Sequence, residues 1–375
     1  MAGIVRVSFT TGTRFAHAER MTRKDALVAA GLAAGGVLMG AALAAEARRV
    51  RRAIELDGQA ALVTGGSRGL GLLIARELGQ QGAGVVLMAR DQTELDRAEQ
   101  KLRAEGLEIS TFAGDVSRPE DARRAVETTV SRYGAIDILV NNAGIITVGP
   151  LEHATVADFE EAMAVHFWGP LHTIQAAVPH MKRQGGGRIA NISSVGGKLG
   201  VPHLVPYCAS KFALAGLSSA ITPELARDNI AVTTVCPGLM RTGSPFNAWF
   251  KGRHREEFAW FAIADSLPFV STSGRSAAAQ IVDALRHGDA ELVITWAAKL
   301  GAVAAALMPN TIALALQAAN ALLPGPEPSA GGERWSGWQS LSNWAPSQLI
   351  RLAEQAAREN NETQGPTLRD RPARA

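Results

Sequence analysis

The 375-residue chain is 47% hydrophobic and only 19% charged, a balance that excludes general disorder and supplies enough apolar residues for a large core. A net charge of +3, spread along the chain without a basic stripe or a nucleic-acid-binding motif, excludes nucleic acid as a partner. Cys208 and Cys236 lie in apolar segments without metal-ligand spacing, so neither a disulfide framework nor a metal site is expected, and a reducing compartment fits.

Residues 1–26 form a basic leader, followed by residues 27–45, which carry no charge. As a helix this stretch would span ~28 Å, about the hydrocarbon thickness of a bilayer. Three readings fit it: a transmembrane anchor, a removable signal peptide with the small residues Ala42-Leu43-Ala44 at its end, or a buried helix. The anchor is favoured, with the Arg48 to Arg52 cluster inside. The expected location is therefore membrane-associated with the downstream domain in the cytoplasm, a purely cytoplasmic protein being the alternative.

From about Leu56 to Thr295, short β-branched runs alternate with longer helical patterns. Strands are predicted over residues 60–64, 85–88, 108–112, 136–140, 188–192, 230–235 and 292–295. Such alternation implies right-handed βαβ units, hence an α/β fold with a doubly wound, Rossmann-like parallel sheet whose ligands bind beyond the carboxyl ends of the strands. One catalytic domain, residues 56–295, is expected, with the N-terminal apolar helix and a C-terminal helical extension added to it.

The first strand runs into Thr64-Gly65-Gly66-Ser67-Arg68-Gly69-Leu70-Gly71. Glycines there permit a tight turn and close approach of backbone to a pyrophosphate seated on a helix N-terminus. The second strand ends in Ala89-Arg90, with no carboxylate where a ribose-binding acid would stand. With Arg68 and Arg90 nearby, a 2′-phosphate is favoured over a bare hydroxyl, so NADP(H) is expected over NAD(H). Two solvated surface arginines are the alternative. Further on, Tyr207 and Lys211 stand one helical turn apart in Tyr207-Cys208-Ala209-Ser210-Lys211, a phenol and an ammonium on one face. A cation beside the phenol would lower its pKa toward the working range. A surface tyrosine with a solvated lysine would share that spacing.

Taken together, the motifs over residues 56–295 resemble the short-chain dehydrogenase/reductase family. Thr64 to Gly71 is similar to the family's cofactor turn, Asp115-Val116 to its adenine-contacting pair, and Asn141-Asn142-Ala143-Gly144 to the motif after its fourth strand. Ser194 lies thirteen residues before Tyr207, as the family's catalytic serine does, and Pro237-Gly238 with Thr242 matches its nicotinamide-side loop. The resemblance implies Tyr207 as the acid or base, Lys211 as the residue that lowers its pKa and holds the nicotinamide ribose, and Ser194 as hydrogen-bond donor to the substrate oxygen. The chain departs from the pattern at Val165-His166-Phe167-Trp168-Gly169, where the family usually has an asparagine that helps hold a relay water. His166 either preserves that relay or is a packing substitution.

Between Pro245 and Phe269 stand Phe246, Trp249, Phe250, Phe258, Trp260 and Phe261. In the family this stretch is a substrate lid, which implies a bulky apolar carbonyl or alcohol as substrate; packing against a core or a subunit is the alternative. Lys251, Arg253, His254 and Arg255 are either lipid-headgroup contacts or a solvated face. Residues 296–323 read as one or two amphipathic helices rather than a membrane span, because Lys299, Pro309, Asn310, Gln317 and Asn320 interrupt them. Residues 324–375 comprise a Pro/Gly linker, a stretch with Trp335, Trp338 and Trp344, a helical pattern over residues 347–358, and a polar end of disordered composition. A membrane surface or bilayer and a second copy of the chain are the macromolecular partners left open. The expected activity is NADP(H)-dependent hydride transfer to or from a small apolar carbonyl or alcohol, with a nicotinamide-binding scaffold of little turnover as the alternative.

Overall fold

Runs of β-branched and small apolar residues form strands that are buried on both faces, the condition of a parallel sheet. The computed structural model describes residues 39, 40, 43, 44, 46–267, 270–328, 332–342 and 350–362. Its main sheet comprises β1 (Ala60–Thr64), β2 (Gly84–Ala89), β3 (Ile109–Ala113), β4 (Ile138–Asn141), β5 (Gly187–Ile192), β6 (Ile230–Pro237) and β7 (Glu291–Ile294). The spatial order is β7-β6-β5-β4-β1-β2-β3, with every neighbouring pair parallel. All seven predicted strands are present, with ends shifted by one or two residues. The strand order reverses between β1 and β4, which places a crevice at the carboxyl edge of those two strands.

Helices α1 (Gly69–Gln80), α2 (Gln92–Ala104), α3 (Pro119–Tyr133), α4 (Val156–Met163), α5 (Gly169–Gln184), α6 (Val205–Ala226), α7 (His254–Ser266) and α8 (Gly274–His287) link or flank the strands. Alternation along β1 sends Ala61 and Val63 to a core shared with α1, α2 and α8, and Leu62 to a second core shared with α3 and α5. These two cores fix the sheet between helical layers. A π-helical turn, Ala164–Trp168, joins α4 to α5 and carries His166. Such inserted turns re-aim side chains and recur at functional sites.

A third core lies beyond the sheet's carboxyl edge. Phe246, Phe250, Phe258 and Phe261 pack there with Ile350 and with Ala353 and Ala357 of α11 (Arg351–Glu359). The packing alternative therefore holds for these four aromatics, because the rings fill one another's contacts and leave no free face. Trp338 stacks on Phe246 at 4.8 Å and Trp335 on His254 at 5.0 Å. Phe269 and Trp344 lie outside the described residues. The lipid-headgroup reading fails for Lys251, which is buried and paired with Asp158 at 2.5 Å. Burial raises the Asp158 pKa, but the Lys251 ammonium and hydrogen bonds from Thr155 outweigh it and hold the carboxyl below its usual value. Buried His203 and Glu257 form a second such pair at 2.8 Å.

Residues 296–323 form two helices, α9 (Trp296–Leu307) and α10 (Pro309–Asn320), broken where Pro309 cannot donate to the preceding turn. The chain divides into two compact units, Met1–Arg51 and Arg52–Ala375. Of the anticipated apolar helix over residues 27–45, only Met39, Gly40, Leu43 and Ala44 are among the described residues, all helical. Among the described residues no helix is long and apolar enough to cross a membrane.

Candidate active site

The carboxyl edge of β1 shows why glycine is required in the first motif. Gly65 has φ of +63°, and a Cβ on Gly71 would lie 2.1 Å from the Gly65 carbonyl oxygen. Only glycine permits this turn to fold under the start of α1. No side chain caps the α1 N-terminus, so backbone N–H groups and the positive end of the helix dipole face the crevice. These features fit a pyrophosphate. Leu70, half-buried, starts the helix beside them.

The Asn141 motif holds that turn, with Asn142 and Ala143 half-buried and Gly144 exposed beside it. Thr64 Oγ1 accepts from the N–H groups of Asn142 (3.0 Å) and Ala143 (3.1 Å), while Asn142 Nδ2 donates to the carbonyls of Thr64 and Gly65. Gly144 keeps room for His166, since a Cβ there would come within 3.1 Å of its Nε2. Asp115 accepts from the Ser117 N–H and hydroxyl, and Val116 is buried beneath Gly169 of α5. At the far side, Pro237 ends β6, the Gly238 N–H donates to Ile294, and the Thr242 hydroxyl pairs with Ser244 at 2.6 Å.

The two arginines expected to favour a 2′-phosphate differ. Arg68 is engaged by Glu94 at 2.7 Å, and the same carboxylate accepts from the Ser67 hydroxyl at 3.1 Å. Arg90 is exposed just past β2. Glu94 gave no sequence signal as a partner of Arg68, because the pair spans 26 positions.

The loop after β5 and the first turns of α6 bring Ser194, Tyr207 and Lys211 together. The Ser194 hydroxyl accepts from the Gly196 N–H at 3.0 Å, and a Cβ on Gly196 would meet both the Tyr207 ring (3.3 Å) and Ser194 Oγ (3.4 Å). Lys211 Nζ donates to the Ile192 carbonyl at 2.8 Å and lies 5.6 Å from the Tyr207 ring centroid. The ammonium thus lies over the ring. Burial raises the Tyr207 pKa above its ordinary value of 10 and outweighs the lowering influence of the nearby Ser194 hydroxyl. The expected lowering by Lys211 is not seen, because the lysine is itself desolvated and its pKa falls to about 7. Ser193, behind this group, donates to the Lys211 carbonyl and anchors α6.

His166 is fully buried, with both ring nitrogens committed. Its Nε2 accepts from the Ile145 N–H at 3.1 Å, which places the proton on Nδ1, and Nδ1 donates to the Ser210 hydroxyl at 2.7 Å. Ser210 in turn donates to the Tyr207 carbonyl, and the His166 ring meets the Tyr207 ring edge-on at 5.5 Å. Burial, then the Lys211 charge, depresses its pKa well below 6.5. Of the two sequence readings, this geometry favours the packing role. Ser210 was missed as a site residue, although its position between Tyr207 and Lys211 was visible.

Residues 59–248 match the family model described as short chain dehydrogenase. Dehydrogenase/reductase SDR family member 4 of Sus scrofa is 37% identical over 208 residues, covering 55% of this chain and 75% of that protein. Granaticin polyketide synthase putative ketoacyl reductase 1 of Streptomyces violaceoruber is 42% identical over 188 residues, 48% of this chain and 68% of that one. A solved gluconate 5-dehydrogenase of Burkholderia cenocepacia, in complex with NADP and tartrate, superposes with a TM-score of 0.57 at 29% identity, covering 65% of this chain and 96% of that structure. With this fold, turn and residue set, the chain belongs to the short-chain dehydrogenase family and is an NAD(P)-dependent oxidoreductase.

Proposed function

We propose that the chain reduces an apolar aldehyde or ketone with NADPH, using Tyr207 as the proton donor. The observation that carries this reading is the convergence of Ser194, Tyr207 and Lys211 beyond the carboxyl end of β5: Ser194 Oγ and the Tyr207 ring both lie against Gly196, and Lys211 Nζ is 5.6 Å from the ring centroid. A bound reduced nicotinamide supplies hydride to the carbonyl carbon. Tyr207 delivers its phenolic proton to the carbonyl oxygen, and Ser194 donates a hydrogen bond to that oxygen as charge develops. A phenol whose pKa is raised by burial keeps its proton at neutral pH, so Tyr207 enters the reaction in the form that can donate. Lys211 holds the nicotinamide ribose and can return a proton toward Tyr207, its lowered pKa placing it near neutrality. Thr64 to Gly71 seat the pyrophosphate, Asp115 and Val116 the adenine, and Pro237, Gly238 and Thr242 the carboxamide.

An apolar substrate is supported by the apolar cluster to which Tyr207 belongs. Tyr207 packs in a cluster with Ile146, Val201, Leu204 and Ile263. NADPH over NADH is supported by exposed Arg90, Arg68 being already neutralised by Glu94. A panel of apolar and polar aldehydes and ketones, run with each cofactor, tests the reading. Tight cofactor binding without turnover on any of them overturns it in favour of a scaffold.

The catalytic unit is also proposed to rest on a membrane surface through α9 and α10. Trp296, Leu300, Val303, Leu307 and Leu314 are exposed, α10 has no buried residue, and no charge occurs from Leu300 to Pro326. Flotation with phospholipid vesicles checks this, and failure of the protein to float would refute it.

A further inference from the structure

The segment that follows α11 crosses the crevice read above as the dinucleotide site. The Gly69 N–H, first residue of α1, donates to the Asn360 carbonyl at 2.9 Å. The Gly243 N–H, in the loop after β6, donates to Glu362 Oε2 at 2.6 Å, while Glu362 Oε1 lies 2.9 Å from where a Cβ on Gly69 would be. One carboxylate thus bridges the glycine turn and the loop assigned to the nicotinamide side. Asn361 completes the seat: its Nδ2 donates to the carbonyls of Ser67 (2.8 Å) and Glu94 (3.1 Å), and its Oδ1 accepts from Arg97. Asn360 and Glu362 are each only 4% exposed.

We propose that Asn360–Glu362 is an intramolecular occupant of the cofactor cradle, and that a nicotinamide dinucleotide binds by displacing it. The proposal rests on the reading of this crevice as the dinucleotide site. The chemistry of the exchange is matched. The Gly69 N–H at the start of α1, suited to a pyrophosphate, is engaged by the Asn360 carbonyl, and the Glu362 carboxylate lies over the same turn at the positive end of the helix dipole while accepting from Gly243. Both occupants cannot use the Gly69 N–H and the space above it at once.

The closed arrangement also contains its own opposition. Burial raises the Glu362 pKa to about 7, against the Gly243 hydrogen bond and the Arg68 charge. Asp265 of α7 is raised to about 8 by burial and by Glu362 itself. Two desolvated carboxyl groups facing one site make it easier to empty. Asn361 has φ of +60°, a left-handed conformation that adds local strain. The anchor of the segment is separate from its tip: Ile350, Ala353 and Ala357 are core residues, so release of residues 360–362 leaves α11 in place.

A ligand that binds only the open state has its apparent dissociation constant multiplied by the inverse of the open fraction. Isothermal titration of NADPH into the full chain and into an Asn361→Ala/Glu362→Ala variant measures that factor, and the variant is expected to bind about tenfold tighter or more. Glu362→Gln, which keeps size and removes charge, is the control for misfolding, with thermal unfolding followed for all three proteins. Hydrogen exchange of residues 350–362 in the unmodified chain needs no variant, and NADPH should raise exchange at residues 360–362. Equal affinities together with unchanged protection of the segment overturn the proposal while leaving the cofactor reading intact. If no protein binds NADPH or NADH, the cofactor reading falls and the proposal with it.

Discussion

Replacing His166 by alanine separates the packing role from a proton-relay role. The substitution removes the acceptor for the Ile145 N–H and the donor to Ser210, and leaves a void among fully buried contacts. Each polar group left without its partner costs ~1–3 kcal/mol, so a total of about 3–5 kcal/mol is expected once the void is included. For a domain of this size that lowers Tm by on the order of 10 °C. The native ring also imposes a pH dependence. His166 stays neutral in the folded protein because burial and Lys211 depress its pKa well below 6.5, whereas the unfolded chain takes up a proton near that value. Stability is therefore full above about pH 6.5 and falls as the pH drops toward the lowered folded value, by up to ~1.4 kcal/mol per pH unit. His166→Asn should abolish this acid slope. Thermal and denaturant unfolding from pH 5 to 8 measure both effects. A Tm for His166→Ala within about 2 °C of the unmodified protein, combined with a displaced pH–rate profile, would refute the scaffold role.

Tyr207→Phe should keep dinucleotide binding and lower kcat by about 10²–10⁴, as loss of a positioned proton donor does; retained turnover in a steady-state assay would remove Tyr207 from the mechanism. Arg90→Ala should raise KM for NADPH by about tenfold and leave KM for NADH nearly unchanged, since a charge-assisted contact to a 2′-phosphate contributes ~1.5–3 kcal/mol. Equal effects on both cofactors would show that the arginine is not a phosphate reader. Lys251→Met strands the buried Asp158 carboxylate and should cost about 3–5 kcal/mol in urea unfolding, with little change in KM. A loss below about 1 kcal/mol would mean that water reaches the pair.

Local rules carried the sequence a long way at the sheet. Each strand is a run of β-branched or small apolar residues, each bounded by turn residues, and period and composition are properties of neighbours in the chain. The glycine turn was legible for the same reason: Gly65 and Gly71 answer a conformational demand that arises within seven residues. Tyr207 and Lys211 shared a helix face because a turn of helix fixes that spacing. What these residues experience was not legible. The Lys211 ammonium faces the Tyr207 ring, and the phenol's pKa rises instead of falling, because burial depends on α6 packing against the loop after β5.

His166, the phenylalanines and Glu362 show the remaining limit. A histidine in a sequence can relay, pack or bind; the inserted π turn sets where His166 sits and the Ile145 N–H and Ser210 hydroxyl are its partners, none of which its sequence position gives. The aromatics of residues 246–261 suited a lid equally well until α11 was seen to close over them. Glu362 meets Gly243 across 119 positions and lies against Gly69 across more, and no periodicity or spacing encodes a contact at that range. The sequence alone determined the family, the sheet and the residues that surround the chemistry. Tertiary structure alone decided the direction in which burial shifts each pKa, the partners of the charges and the contact of residues 360–362 with the glycine turn, since these follow from desolvation and distance between segments that the chain order keeps apart.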